Sequence, residues 1–372
     1  LYEQGVLEPS GSAYEGLSSG RMSAYDFMIN AITEKTITPA QLALEPCSGS
    51  AVVADPDTGE LLALVSYPGY DNNRLSGTVD KDYYEQLRND KAKPLINKAT
   101  SLRTAPGSIF KPCSAITGLE QGVISTGESI VCTGQYTAVT PSPKCWIYPR
   151  SHGAENVSTA IRDSCNVFFY TVGHRLGMES GGTYNSTKGT DLLKNYAEQL
   201  GLATKSGVEI YEMDPHPSDR DAVASAIGQG THAYSAINLC RYVSTLATSG
   251  VCHDFTLVSK ITDYNGNVIR DNEPVVSNTM NVSSSTWNAV HQGMRLVIEN
   301  TASFKGLPYQ AAGKSGTAQE NTNKADHITF ISYAPYDNPE VAVSVLIPNG
   351  YASSNAAKLT SDIYKIYWGL DK

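Results

Sequence analysis

Long apolar runs are missing from this chain. Nowhere do about 18 apolar residues follow one another, so no segment reads as a bilayer-spanning helix. A basic excess is missing too: 28 Lys and Arg stand against 37 Asp and Glu, a formal charge of -9, whereas a nucleic-acid binder needs a basic face. Cysteine is scarce and odd in number. Seven in 372 residues cannot close a complete disulfide framework, which excludes the small secreted scaffolds and leaves buried, reactive or metal-bound thiols open. Charged residues make up only 17%, yet 41% apolar content is enough for a core and excludes a disordered chain. The opening Leu1-Tyr2-Glu3-Gln4 shows neither an initiating Met nor a signal peptide, so a preceding segment or membrane anchor is expected outside this chain.

At this length, two domains, or one large domain with an appendage, are expected. Residues 1 to about 45 read as the appendage, with a helix over 24–37 that carries Phe27, Met28, Ile29 and Ile32. From Ser48 strands begin. The runs 51–54 and 61–65 flank Asp55-Pro56-Asp57-Thr58-Gly59, which predicts a hairpin. The middle reads as helical over 108–121, 159–176, 192–200 and 231–249. A second hairpin is expected around Asn265-Gly266-Asn267, and Ser285 is expected to cap a helix whose stripe Trp287, Val290, Met294, Val297 and Ile298 packs into a core. Strands over 328–333 and 341–347 and a helix over 353–367 close the chain. The fold class predicted is α+β: an antiparallel sheet covered by N- and C-terminal helices, with an all-helical insert.

Three short motifs carry chemistry. In Pro106-Gly107-Ser108-Ile109-Phe110-Lys111, a hydroxyl and an amine lie three residues apart, on one face if the segment is helical. A serine hydroxyl needs an adjacent base, and a lysine whose charged form is disfavoured by burial can serve. Ser164-Cys165-Asn166 follows 56 residues later, offering a second hydroxyl for a proton relay and an amide to orient a substrate. Lys314-Ser315-Gly316-Thr317 sets a cation and two hydroxyls among small residues, suited to an anionic carboxylate at a strand edge. Each alone also suits a bland reading: solvated helix surface, a helix N-cap, or a loop with one solvated lysine.

In this order and at these gaps, the three resemble the active-site set of penicillin-recognising serine acyltransferases. Asp55-Pro56-Asp57-Thr58-Gly59-Glu60, Ser66-Tyr67-Pro68-Gly69-Tyr70-Asp71-Asn72-Asn73, Gly228-Gln229-Gly230 and Tyr333-Ala334-Pro335-Tyr336-Asp337-Asn338-Pro339-Glu340 are similar to the transpeptidase domain of class B penicillin-binding proteins, of the penicillin-binding protein 2 kind. The resemblance implies a penicillin-binding/serine β-lactamase-like transpeptidase fold over residues 46–372, after the remnant of an N-terminal pedestal over 1–45. It implies a membrane-anchored enzyme on the extracytoplasmic face of a bacterial cell, working with a glycosyltransferase on peptidoglycan stem peptides and blocked by β-lactams. Residue by residue, Ser108 is the nucleophile, Lys111 its base and Ser164 the proton relay. Asn166 holds a substrate amide. Lys314, Ser315 and Thr317 bind the terminal carboxylate, with Gly316 letting the strand approach, and the amides of Ser108 and Thr317 form the oxyanion hole.

Cys165, inside the second motif, stands out. Cys132, Cys145, His152 and Cys165 are spaced 13, 7 and 13 residues apart, and three thiols with one imidazole make a complete tetrahedral zinc set. Residues 131–153 have little apolar content and would gain from a metal clip. The expectation is a structural zinc beside the active site, as some class B relatives carry; the alternatives are a Cys132–Cys145 disulfide and buried thiols with an unrelated histidine. No organic cofactor is implied. The other histidines, at 174, 216, 232, 253, 291 and 327, read as surface or packing residues, and Cys47, Cys113, Cys240 and Cys252 as buried small hydrophobes. Competing functions are a D,D-carboxypeptidase, which uses water as acceptor, and a β-lactam sensor that is acylated without turnover. A serine β-lactamase is disfavoured because no Glu-x-x-Leu-Asn follows the second motif to activate water.

Overall fold

The computed structural model describes residue 7 and residues 9–34, 36–37, 48–319 and 324–370. Cys47 and residues 38–46 lie outside these. The chain divides into two units, Leu1–Ser48 with Pro68–Leu95, and Gly49–Tyr67 with Ile96–Lys372. The first holds α1 (Gly11–Ser18), α2 (Ala24–Thr33) and α3 (Lys81–Asn89). Ser23 caps α2 by accepting the Asp26 N–H. The helix stops at Thr33, short of the expected Ile37, and the Thr36 and Ile37 amides turn back to Ala31 O. Two poor helix formers, Thr33 and Thr36, make that early stop intelligible.

The second unit opens with β1 (Gly49–Ala54) and β2 (Leu61–Tyr67), then α4 (Lys98–Ser101), a 3-10 turn over Gly107–Phe110 and α5 (Lys111–Glu120). β3 (Ile130–Cys132) and β4 (Gly153–Glu155) pair across a long loop, and α6 (Val157–Arg162), α7 (Asn166–Leu176), α8 (Ser186–Gln199), α9 (Ala222–Ser225) and α10 (Ala236–Ala247) follow. The expected continuous helix over 159–176 is thus two, broken where Ser164 takes φ 53, a left-handed backbone that no α-helix accommodates. The expected 231–249 helix begins only at Ala236, because Ser235 and Asn238 form a capping box there. Small strands β5 (Val251–His253), β6 (Lys260–Thr262), β7 (Val268–Asp271) and β8 (Val276–Thr279) lead to α11 (Ser284–Glu299), which Ser283, not Ser285, caps through the Thr286 N–H. β9 (Ala312–Ala318), β10 (His327–Ala334), β11 (Val341–Ile347) and α12 (Ser353–Tyr367) complete the unit.

The main sheet is antiparallel in the order β2-β1-β11-β10-β9. Alternation along its strands separates two cores. Val52, Ala54, Ala342 and Leu346 join the larger core with α5, α7 and α10, while Ala51, Val53, Val341, Val343 and Val345 face Tyr364 and Ala356 of α12. The stripe of α11 is buried as expected. β9 lies at the sheet edge, paired with β10 on one side only, and its other side faces the turn that carries Ser108. That leaves part of a strand's backbone open to a ligand.

Candidate active site

The three motifs converge. Ser108 sits in the 3-10 turn, and Lys111, at the start of α5, follows it by one turn, its backbone N–H donating to Ser108 O. Two glycines make the turn possible. Gly107 has φ +55, and a Cβ there would run into the Thr317 carbonyl; a Cβ on Gly316 would lie 2.6 Å from Pro106 O and overlap Thr329. β9 and the nucleophile turn therefore touch backbone to backbone. Gly228, from the Gly-Gln-Gly stretch, clasps the same turn by accepting the Gly107 N–H at 3.0 Å.

Lys111 is fully buried, and its ammonium donates to Ser164 O at 2.7 Å, Asn166 Oδ1 at 2.7 Å and Ser164 Oγ at 3.1 Å. Lys314, 1% exposed, donates to the same Ser164 Oγ at 3.2 Å and to Ser315 O at 3.1 Å. Neither lysine meets a carboxylate in these contacts. Burial lowers the Lys111 pKa well below the ordinary lysine range, and the Lys314 charge lowers it further. Burial alone brings Lys314 down to about 7. Ser164 Oγ is thus the meeting point of two amines, held there by the strained backbone of its own residue. Ser108, Ser164, Asn166, Ser315 and Thr317 line one cavity of about 830 Å³, and Lys314 and Gly316 alternate with them on the buried face of β9. The bland readings fail at the first and third motifs, where Lys111 and Lys314 are buried rather than solvated; the second motif does lie at a helix N-terminus, with Cys165 at the N-cap position of α7.

Comparison with known proteins agrees with this geometry. A family profile described as penicillin binding protein transpeptidase domain matches residues 49–365. The chain belongs to the penicillin-binding protein transpeptidase family. Within it, the chain is a class B, PBP2-like transpeptidase domain. It is 29% identical over 362 residues to the peptidoglycan D,D-transpeptidase MrdA of Haemophilus influenzae, covering 87% of this chain and 53% of that protein. To the peptidoglycan D,D-transpeptidase PbpA of Mycolicibacterium smegmatis it is 29% identical over 332 residues, 82% of this chain and 62% of that one. The chain spans a little over half the length of these curated relatives. Among solved structures, Pseudomonas aeruginosa PBP2 in complex with WCK 5153 superposes with a TM-score of 0.75 at 26% identity, over 88% of this chain and 72% of that one. A structure titled for the coordination of polymerization and crosslinking by a peptidoglycan synthase complex gives a TM-score of 0.76 at 26% identity, over 87% of this chain and 56% of that one.

In this penicillin-binding domain, the second motif borders the Cys/His cluster. Cys132 ends β3, His152 precedes β4, Cys145 comes from the intervening loop and Cys165 immediately precedes α7. Their ligand atoms all lie within 4.8 Å of one another, and the three thiols are free rather than paired in a disulfide. The contact with Cys165, together with the backbone amides of Ile147, Val167 and Asn166, lowers the Cys145 pKa below the ordinary thiol range, and the same contact pushes the Cys165 thiol up. His152 Nε2 is buried with no hydrogen-bond partner among the described residues. Cys113, Cys240 and Cys252 are buried, as expected of small hydrophobes.

Sequence reading missed several residues of the cavity wall. Trp146, Gln229, Asn300 and the Arg162–Asp163 pair, bonded at 2.7 Å, all line it. Gln229 had a signal in its Gly-x-Gly frame, and Asp163 in its place just before Ser164. Trp146 and Asn300 had none, because the loops that bring them in are far apart in sequence.

Proposed function

We propose that this domain cross-links peptidoglycan stem peptides through a serine acyl-enzyme. The observation that carries the proposal is the pair of buried lysines sharing Ser164 Oγ beside Ser108. A neutral Lys111 has two N–H donors and one lone pair. Ser164 O and Asn166 Oδ1 can only accept, so they take both donors and turn the lone pair towards a hydroxyl proton. Ser108 Oγ then bonds to the carbonyl carbon of the penultimate D-Ala while its proton passes to Lys111. The C–N bond to the terminal D-Ala breaks, and the proton leaves on that amine through Ser164. An amine from a second stem attacks the ester, returns a proton along the same path and frees Ser108 Oγ. Lys314, Ser315 and Thr317 hold the terminal carboxylate, Asn166 a substrate amide. The amides of Ser108 and Thr317 stabilise the oxyanion, where one donor is typically worth about 3 kcal/mol.

The test is turnover of a stem-peptide analogue with an amine acceptor, alongside intact-mass analysis after penicillin. Acyl transfer to the amine, with the penicillin adduct on Ser108, supports the reading. Free acid as the sole product makes the domain a D,D-carboxypeptidase, and acylation without turnover makes it a β-lactam sensor. An adduct on any other side chain overturns all three.

Cys132, Cys145, His152 and Cys165 also fit a structural zinc. The donor set is complete, all four ligand atoms lie within 4.8 Å of one another, His152 Nδ1 faces Cys145 Sγ at 3.6 Å, and thiolates on one zinc lie about 3.8 Å apart. A bound zinc would supply cross-linking of the loop over 131–153 to the Ser164 segment and no open coordination position. Metal analysis of the purified protein and of the Cys145→Ser and His152→Ala variants tests this: near one zinc per chain, lost in both variants, supports it, and near zero in the unmodified protein ends it. Because peptidoglycan lies outside the cytoplasm, we place the domain on the extracytoplasmic face of the cell membrane, beside a glycosyltransferase; the synthase complex among its structural neighbours supports that partner. No helix among the described residues is long and apolar enough to cross a membrane.

A further inference from the structure

The loop that brings Cys145 to the cluster also holds both sides of Ser164. Asp163 follows α6 at its C-terminal end, where carbonyls have no partner inside the helix. Its carbonyl accepts instead from the indole Nε1–H of Trp146 at 3.0 Å. Asn166 is the first residue of α7, where an N–H likewise has no helical acceptor, and it donates to Cys145 Sγ at 3.3 Å. Two neighbouring residues thus satisfy the last carbonyl before Ser164 and the amide two residues after it. Ser164 needs holding. Its N–H turns back to Ile161 O at 3.3 Å and the Cys165 N–H to Ala160 O at 2.9 Å, a helix ending whose left-handed residue is usually glycine. Here a serine takes that place at φ 53, which persists only where surrounding contacts over-determine it.

We propose that Trp146 is a positioning residue: its indole N–H, acting through the Asp163 carbonyl, holds Ser164 Oγ where Lys111 and Lys314 reach it. The inference rests on the acyl-enzyme step of the transpeptidase reading and adds a residue to it. Trp146 is itself well placed. The Cys145 N–H donates to Gly134 O at 2.9 Å and the Tyr148 N–H to Cys145 O at 3.0 Å, which closes a turn around it. Its ring centroid lies 5.4 Å from that of His152. Trp146 is 61% exposed, so it contributes little to a core, and core packing does not account for a tryptophan here. Its ring also lines the Ser108 cavity, which makes an apolar wall for the substrate the competing role.

Two substitutions separate the donor from the ring. Trp146→Phe keeps an aromatic wall and loses the N–H, whereas Trp146→Gln loses the wall and keeps an N–H at similar reach. Acylation of Ser108 is followed over a range of penicillin concentrations and resolved into a limiting rate and a half-saturating concentration. Trp146→Phe is expected to lower the limiting rate about fivefold, the scale of one hydrogen bond, and to leave the half-saturating concentration within about twofold of the unmodified protein's. Trp146→Gln is expected to keep the limiting rate within about twofold. A Trp146→Phe limiting rate within twofold of the unmodified protein's overturns the proposal. So does a Trp146→Gln rate as low as that of Trp146→Phe, which would assign the effect to the ring. Both results leave the transpeptidase reading standing. If penicillin forms no adduct on Ser108 of the unmodified protein, that reading fails, and the role of Trp146 with it.

Discussion

Lys111 and Lys314 aim their ammonium groups at one hydroxyl, Ser164 Oγ, from 3.1 and 3.2 Å. Two like charges buried this close are mutually unfavourable, so at least one amine is neutral near physiological pH. The shared hydroxyl is what lets a proton move between them. Ser164→Ala is expected to slow acylation of Ser108 by penicillin by about 10²- to 10³-fold, the range of lost proton-transfer catalysis. Stopped-flow acylation checks it, and a rate within threefold of the unmodified protein would show that Ser164 carries no proton.

The second prediction concerns pH. Lys111 is depressed first by burial and next by the Lys314 charge. A base with a depressed pKa is neutral, and competent, at lower pH. Lys314→Gln keeps a donor for Ser164 Oγ but removes the charge, so the Lys111 pKa rises and the ascending limb of the acylation rate shifts to higher pH. The profile of penicillin acylation between pH 5 and 10 measures the direction. A limb that stays in place or moves down refutes the coupling.

Gly316 tests the close approach of β9 to the nucleophile turn. A Cβ there meets Thr329, Pro106 O at 2.6 Å and Ile109 at 3.0 Å, and two of those three neighbours belong to the segment carrying Ser108. Gly316→Ala is expected to cost about 1–3 kcal/mol of stability by overpacking. Because the strain falls between Thr317 and Ser108, penicillin acylation at 25 °C should drop more than the unfolded fraction from chemical denaturation at 25 °C explains. An unchanged acylation rate in the folded variant would refute the strain argument.

How much of this was legible in sequence depended on whether the signal was local. β11 and α12 were read with their observed limits, since a run of Val341 to Ile347 and the pattern over 353–367 carry their own periodicity. The break between α6 and α7 was not legible: nothing about a serine announces φ 53, and the conformation is imposed by partners 53 and 150 residues away, Lys111 and Lys314. The candidate set could be named only because three motifs, each weak alone, fall in an order and at gaps that resemble a known family's. Most of the cavity wall could not, because Trp146 and Asn300 become neighbours only through the fold.

Arg241 is the residue whose importance was least visible, as the sixth residue of α10, in a segment read only for its apolar stripe. Its side chain is 3% exposed and donates in every direction: to His253 O at 2.9 Å, Thr204 Oγ1 at 3.0 Å, Lys205 O at 2.7 Å, and Asp254 Oδ1 and Ser277 Oγ at 2.6 Å each. One guanidinium thus ties α10 to β5, to the strand partner β8 and to the loop after α8. Lysine cannot reproduce this, since it has three donors on one atom where the site uses five contacts on a planar fork. Arg241→Met would leave two carbonyls and a half-buried carboxylate without partners, and is expected to cost about 3 kcal/mol in chemical denaturation. Arg241 lies outside the lining of the Ser108 cavity, so penicillin acylation by the folded variant should keep its rate. A stability loss below about 1 kcal/mol would mean that water replaces the guanidinium at little cost.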